Sequence, residues 1–264
     1  MDFLGVKDKT FVVAGVSNRK SVAFFSAKIL AEAGANIIFT AQSNDHFERV
    51  SKLFPNSEVF VLDVENEEDI QRFGQKIKEK GTPIDGLLHS IAFANLVEGK
   101  SFHETSLKDF QQATQISCFS LVQMSNALKD SFAKDASVVT ISISDTRATS
   151  YGYMGPVKAM LDATVAYLAK SFSSFSRVRF NSVGSGPLKT SASAGIPGYV
   201  NNYIFAEKLT LRKEALATEE VANTVAFLMS PRSSGVNATG ILVDAGMSCN
   251  HFDESVVKTV ADFS

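Results

Sequence analysis

The stretch TFVVAGVSNRKSVA, Thr10 to Ala23, decides the fold. It opens on an apolar, β-branched run, the composition of a strand buried on both faces. Gly15 then permits a tight turn. Ser21 is a residue type that caps helices. After it, Val22, Phe25, Ile29 and Leu30 mark one face of a helix that stops at Gly34. Outward from this unit the same alternation repeats. Asn36–Thr40, Glu58–Val64, Asp85–Ala92, Ser137–Ile143, Val178–Val183 and Gly240–Val243 read as further strands, giving seven with Thr10–Gly15. The acidic segment ENEEDIQRFGQKIKEKG between two of them reads as an exposed helix ending at Gly81. Apolar strands separated by helices predict an α/β protein: a parallel sheet, doubly wound, with helices on both faces. No repeat, linker or composition break divides the chain, so residues 1–264 read as a single domain. The long segment 184–209 follows the sixth strand on the ligand-binding side of such sheets and reads as a mobile substrate lid.

Composition excludes several classes. The chain has 264 residues, 45% hydrophobic and 20% charged, with a formal charge of −2. That charge gives no electrostatic case for nucleic acid or a membrane surface, and no apolar run approaches the ~20 residues of a membrane span. The first residues, MDFLGVKDKT, lack the basic and apolar regions of a signal peptide. Cys118 and Cys249 have no redox or metal spacing, and the four histidines are scattered, so no metal site is expected. A cytoplasmic location is expected.

Three strand ends point to a dinucleotide and a Rossmann-type fold. The first turn is not G-x-G-x-x-G; it offers Gly15, and Ser21 to cap the helix and present hydroxyl and N–H to a pyrophosphate. Gln42 follows the second strand, where such folds read the adenosine ribose. Asp63 and Val64 close the third, where a carboxylate accepts from an adenine amino group. Singly each is an ordinary turn residue; in series they favour a dinucleotide.

The segments GVSNRKSVA, LDV, DGLLHSIAFA, YGYMGPVKAM, RFNSVGSGPLKTSAS and GILVDAGMS occur in the order of the short-chain dehydrogenase/reductase superfamily. Up to about Ser248 the chain resembles its enoyl-acyl-carrier-protein reductase branch. That resemblance implies reduction of the trans-2 double bond of an enoyl thioester in fatty acid synthesis. The substrate would be carried on acyl carrier protein, and the enzyme would be a homotetramer. It also implies cofactor contacts at Gly15, Val16, Ser21, Val22, Gln42, Asp63, Val64, Ile91, Lys158 and the stretch Leu188, Lys189, Thr190, Ser191 and Ala192, with Ala94 beside the substrate.

Two tyrosines precede Lys158. Seven positions is close to two turns at 3.6 residues per turn, which puts Tyr151 on the face of Lys158; Tyr153 sits about 140° round. Pro156 fits best in a first helical turn, which sets Tyr151 just outside the helix. The enoyl reductase spacing also selects Tyr151, and Tyr153 is assigned to packing. In this reading Tyr151 stabilises the charge that develops on the thioester oxygen, the Lys158 ammonium makes it a better acid, and Lys158 holds the nicotinamide ribose.

The chain departs from the branch in places. Ile143 stands where an aromatic residue is usual, the segment after it is short, and Ala245 replaces a usual glycine. Ser142 and Ser144 keep a carbonyl-reducing activity as the alternative, and a catalytically silent nucleotide-binding paralogue as a third reading. Val256, Val257 and Val260 suggest a short amphipathic helix in the tail, 249–264. The end of the second strand, with Gln42 and Asp45 and its first arginine only at Arg49, favours NADH over NADPH; Arg19 and Lys20 are the counter-argument.

Overall fold

A computed structural model describes residues 3–190, 193 and 198–262. Its sheet has seven parallel strands: β1 (Thr10–Ala14), β2 (Asn36–Ala41), β3 (Glu58–Val61), β4 (Ile84–His89), β5 (Phe132–Ile143), β6 (Arg179–Ser185) and β7 (Thr239–Val243). Their order is β3-β2-β1-β4-β5-β6-β7. The chain therefore reverses direction between β1 and β4, and a crevice opens above their C-terminal ends. All seven strands expected from the sequence are present, with β3 and β4 ending earlier.

Helices cover both faces. On one side lie α1 (Val22–Glu32), α2 (Asn44–Leu53) and α8 (Thr218–Met229). On the other lie α3 (Glu67–Lys80), α4 (Leu107–Thr114), α5 (Ser120–Leu128) and α6 (Met154–Phe172). Two apolar cores follow: one contains Val13, Phe39, Leu88 and Val225, the other Val12, Leu87, Leu121 and Leu161. Consecutive strand residues alternate between them, which is why each strand had to be apolar on both faces. The buried face of α1 is Val22, Ala23, Ser26, Ala27 and Leu30. Phe25 and Ile29, expected on that face, are only half-buried at its edge. Small residues take the centre because α1 packs closely on its neighbours.

The segment 184–209 is not irregular throughout. β6 continues to Ser185, and α7 (Tyr199–Leu209) occupies its second half. Residues 191, 192 and 194–197 lie outside the described residues. The tail forms α9 (Glu254–Ala261), as its valines suggested. Asp253 caps it and pairs with Lys213.

Two backbone positions invert each other's logic. Gly15 has φ +99°, and a Cβ there would lie 2.0 Å from the Ser90 carbonyl oxygen. Ala245, in place of the usual glycine, has φ +54° and carries left-handed strain. Gly15→Ala should destabilise the fold by more than ~2 kcal/mol, whereas Ala245→Gly should be neutral or stabilising by up to ~1 kcal/mol. Urea denaturation of both variants checks the opposite signs.

Candidate active site

The crevice holds a cavity of about 640 Å³, and its floor is built from strand ends. The first turn contributes Gly15, Val16, Ser21 and Val22; β2 is followed by Gln42, β3 by Asp63 and Val64, and β4 by Ser90, Ile91 and Phe93. Tyr151, Lys158, Leu188 and Thr190 complete the sequence-predicted residues on it.

The turn works differently from expectation. The Ser21 hydroxyl donates to the Asn18 carbonyl at 2.9 Å and accepts from Phe24 N–H at 3.2 Å. Its backbone N–H also donates to Asn18 O. Ser21 is therefore an N-cap whose own donors point into the loop. The groups left to meet an anion are the next N–H groups of α1, which have no partner inside a helix. Asp63 spends one oxygen on the Glu65 N–H, at 3.0 Å, and keeps the other.

Two expected contacts, Lys189 and Ala94, are not on this cavity. The Lys189 ammonium turns outward over the Tyr203 ring, 4.6 Å from its centroid. Ala94 packs against the core below α4. It is drawn there because its neighbour Asn95 donates to Asp109 and Gln112. Ser191 and Ala192 lie outside the described residues. Conversely, the structure adds Tyr199, whose hydroxyl accepts from Leu188 N–H at 2.7 Å and donates to Leu188 O at 2.9 Å. These bonds tie α7 to the segment that follows β6. Nothing in the sequence signalled it, because the pair meets only through the tertiary fold. Ile116 is also added; it sits in the π-helical turn Gln115–Phe119, a distortion that often accompanies functional sites. In the same turn the Ser117 hydroxyl accepts from Phe93 N–H and donates to Phe93 O, fixing the loop after β4.

Tyr151 ends a short 3₁₀ turn, Thr149–Tyr151, and is outside α6. Gly152, at φ +55°, reverses the chain before the helix begins. The helical phase therefore does not apply to Tyr151, yet tyrosine and lysine reach the same cavity. Tyr153 is buried with its ring against Phe110, as a packing residue. The Tyr151 hydroxyl makes no hydrogen bond among the described residues. Burial, with Tyr199 nearby, pushes its pKa up to about 12. The expected acidification by Lys158 is absent: the lysine ammonium donates instead to Ile141 O at 2.7 Å.

Lys158 is 4% exposed, and burial lowers its pKa to about 8. Asp162, one turn on, opposes that shift. Asp162 in turn accepts from the Ser142 hydroxyl at 3.0 Å. Ser142, the candidate carbonyl-reductase hydroxyl, thus points its proton at a carboxylate. His89 lies beneath, fully buried, with its ring nitrogens 2.9 Å from Thr140 Oγ1 and 2.8 Å from Ser120 Oγ. Burial, then the Lys158 charge, lowers its pKa to about 3. The neutral ring donates to one hydroxyl and accepts from the other.

The donor set fits a dinucleotide: an open helix N-terminus, a glycine no side chain could replace, a free carboxylate oxygen and a buried ammonium on one cavity. Comparison with known proteins agrees. The profile of the enoyl-(acyl carrier protein) reductase family matches residues 15–248. The chain belongs to that family. It is 36% identical over 252 residues to the NADH enoyl-acyl-carrier-protein reductase FabI of Nostoc sp., spanning 92% of this chain and 97% of that one. It is 32% identical over 251 residues to the NADPH reductase FabI of Staphylococcus aureus, spanning 92% and 98%. The crystal structure of the NADH enzyme from Aquifex aeolicus superposes with a TM-score of 0.87 at 28% identity, covering 92% of this chain and 97% of that one. The Anaplasma phagocytophilum reductase in complex with NAD gives 0.88 at 25%, covering 94% and 97%. No helix among the described residues is long and apolar enough to cross a membrane, and they hold no metal-ligating cluster.

His89 makes stability pH-dependent. Its folded pKa, about 3, lies below the ordinary 6.5, so the unfolded chain binds its proton first. Stability is complete above 6.5 and falls as pH drops toward 3. The loss should be roughly 1.5 kcal/mol between neutral pH and about pH 5, before carboxylates titrate. Urea midpoints over that window test this, and His89→Asn should flatten the slope.

Proposed function

We propose that this chain reduces the trans-2 double bond of an enoyl thioester, presented on acyl carrier protein, in fatty acid synthesis. One observation carries the reading beyond family membership. A tyrosine hydroxyl with no hydrogen-bond partner among the described residues and a buried ammonium line one cavity at the spacing of this branch.

A bound dihydronicotinamide supplies a hydride to the β-carbon. The protein's part is orientation and charge. Gly15 and the start of α1 take the pyrophosphate, Gln42 and Asp63 the adenosine, and Lys158 the nicotinamide ribose. Ile91 and Leu188 close the apolar sides. Tyr151 faces the thioester oxygen, where negative charge develops. With its pKa near 12 it keeps its proton through the working pH range. Its role is therefore that of a fixed hydrogen-bond donor to the enolate oxygen, and water supplies the proton that finally arrives on carbon. Ser142 does not favour carbonyl reduction, since its hydroxyl is engaged by Asp162.

Tyr151→Phe should lower kcat for crotonyl thioester reduction by about 10²- to 10³-fold with cofactor affinity nearly unchanged. Tyr153→Phe should stay near wild type; the reverse ranking would overturn the assignment. The Lys158 ammonium is charged below a pKa of about 8, so cofactor affinity should fall as pH rises through that value. Lys158→Ala should weaken affinity and remove this limb.

The functional unit is a homotetramer in this proposal. The outer face of α6 exposes Ala159, Met160, Ala163, Ala166 and Tyr167, and nearby Phe119 is 51% exposed. A helix serving only its own sheet has one apolar stripe; α6 has two. Light scattering at micromolar concentration should give four times the mass of 28.5 kDa. A monomer would contradict it.

A further inference from the structure

The last four carbonyls of α7 are all met, and two of them depend on the tail. A helix leaves its final C=O groups without partners inside the helix. Here Ala206 O accepts from the Thr210 N–H at 3.0 Å and Glu207 O from the Thr210 hydroxyl at 2.9 Å. Lys208 O accepts from the Lys213 ammonium at 2.9 Å, and Leu209 O from the Asn250 side-chain amide at 2.8 Å. Asn250 and Lys213 then converge on one oxygen of Asp253. We propose that Asn250 and Asp253 are positioning residues: they clamp the end of α7 and so fix the wall against which the acyl chain of the substrate lies. The inference rests on the enoyl thioester reading of the cavity.

Position in the fold is the first argument. Gln42 and Asp63, the residues assigned to the adenosine, follow β2 and β3 in one half of the sheet. α7 follows β6, and residues 247–251 follow β7, in the other half. Both line the cavity that Tyr151 lines: Phe205 and Leu209 from α7, Met247 and His251 from the chain after β7. The clamp joins these two walls. Their turns touch as well. The Leu211 N–H donates to Ala245 O at 3.0 Å, and a Cβ on Gly246 would lie 2.5 Å from Leu211 Cδ1. α7 buries only Tyr203 and Ala206, so its core packing is thin and its place depends on how its ends are held.

The second argument is what the tail contributes. The match to the family ends at Ser248. No residue from 249 to 262 is buried, and none belongs to either core. What the tail adds is therefore polar, and it centres on Asp253. One Asp253 oxygen caps α9, accepting from the Ser255 and Val256 N–H groups at 3.1 and 3.3 Å. The other gathers the clamp. Bonds from Lys213, Ser255 and Asn250 hold this carboxyl well below the usual carboxylate range. Bonds that involve a charged partner are the stronger kind. Lys213 reaches its two acceptors from φ +58°, a left-handed conformation that a residue with a side chain keeps only where its surroundings hold it. A tail that merely trailed over the surface would show neither that strain nor the convergence on one carboxylate.

The test separates positioning from stability. KM and kcat are measured with crotonyl and dodecenoyl thioesters for the full chain and for the Asn250→Ala/Asp253→Ala double variant. NADH affinity is read by nucleotide fluorescence, and amide hydrogen exchange is followed over residues 203–213. The double variant should raise KM for the dodecenoyl thioester at least about fivefold, with a smaller rise for crotonyl. Its kcat and NADH affinity should stay within about twofold of wild type, and amides at the end of α7 should exchange faster while those of β4 do not. Asp253→Asn keeps an acceptor oxygen and can still cap α9, so it should fall between wild type and the double variant; it carries the test should the alanine pair fail to fold. Lys258→Ala, on the same helix, should match wild type. An unchanged KM, unchanged exchange at α7, or a joint loss in KM, kcat and NADH affinity with a lower thermal midpoint would each overturn the proposal. If the wild-type chain turned over neither thioester, the enoyl reductase reading would fall instead, and the exchange at α7 would still judge the clamp.

Discussion

A lysine ammonium buried to 4% exposure is the constraint around which this site is organised. Removing a charge from water is costly unless its donors are met. Lys158 meets one through the Ile141 carbonyl at the end of β5 and gains further support from Asp162. Burial, reinforced by that same charge, keeps His89 neutral among its hydroxyls. The ammonium also fixes the end of β5 against α6, the junction from which Ser142 and the turn to Tyr151 emerge. The polar groups under the cavity form a sequence of linked choices: His89 neutral, Lys158 charged, Asp162 occupied by Ser142.

This arrangement changes how the tyrosine works. In the simple picture a neighbouring ammonium lowers the tyrosine pKa and prepares it to release a proton. Here the ammonium points at a carbonyl and the tyrosine is shifted upward by burial. A hydroxyl that holds its proton is a good partner for an oxyanion and a poor acid. Enoyl reduction suits such a group, because its developing charge needs a donor at oxygen while the proton ends on carbon. Carbonyl reduction would need the proton itself at oxygen.

The first turn and α2 show a comparable division. One glycine and one capped helix line the cavity without the usual three glycines. α2 is capped in the same way, by Ser43, whose hydroxyl accepts from His46 N–H.

The sequence by itself determined the sheet, its seven strands and the helices between them, because burial on both faces leaves a local signature in each strand. It also located the strand ends that line the cavity and, through Pro156, set Tyr151 outside the helix, whereas the seven-residue helical phase did not apply. Tertiary structure decided what no spacing encodes: that Ser21 spends its donors on Asn18, that Lys189 lies over Tyr203 and Ala94 packs on the core, and that Tyr199 clasps Leu188. Each of these depends on which distant groups compete for the same hydrogen bond or charge, and that competition exists only once the chain is folded.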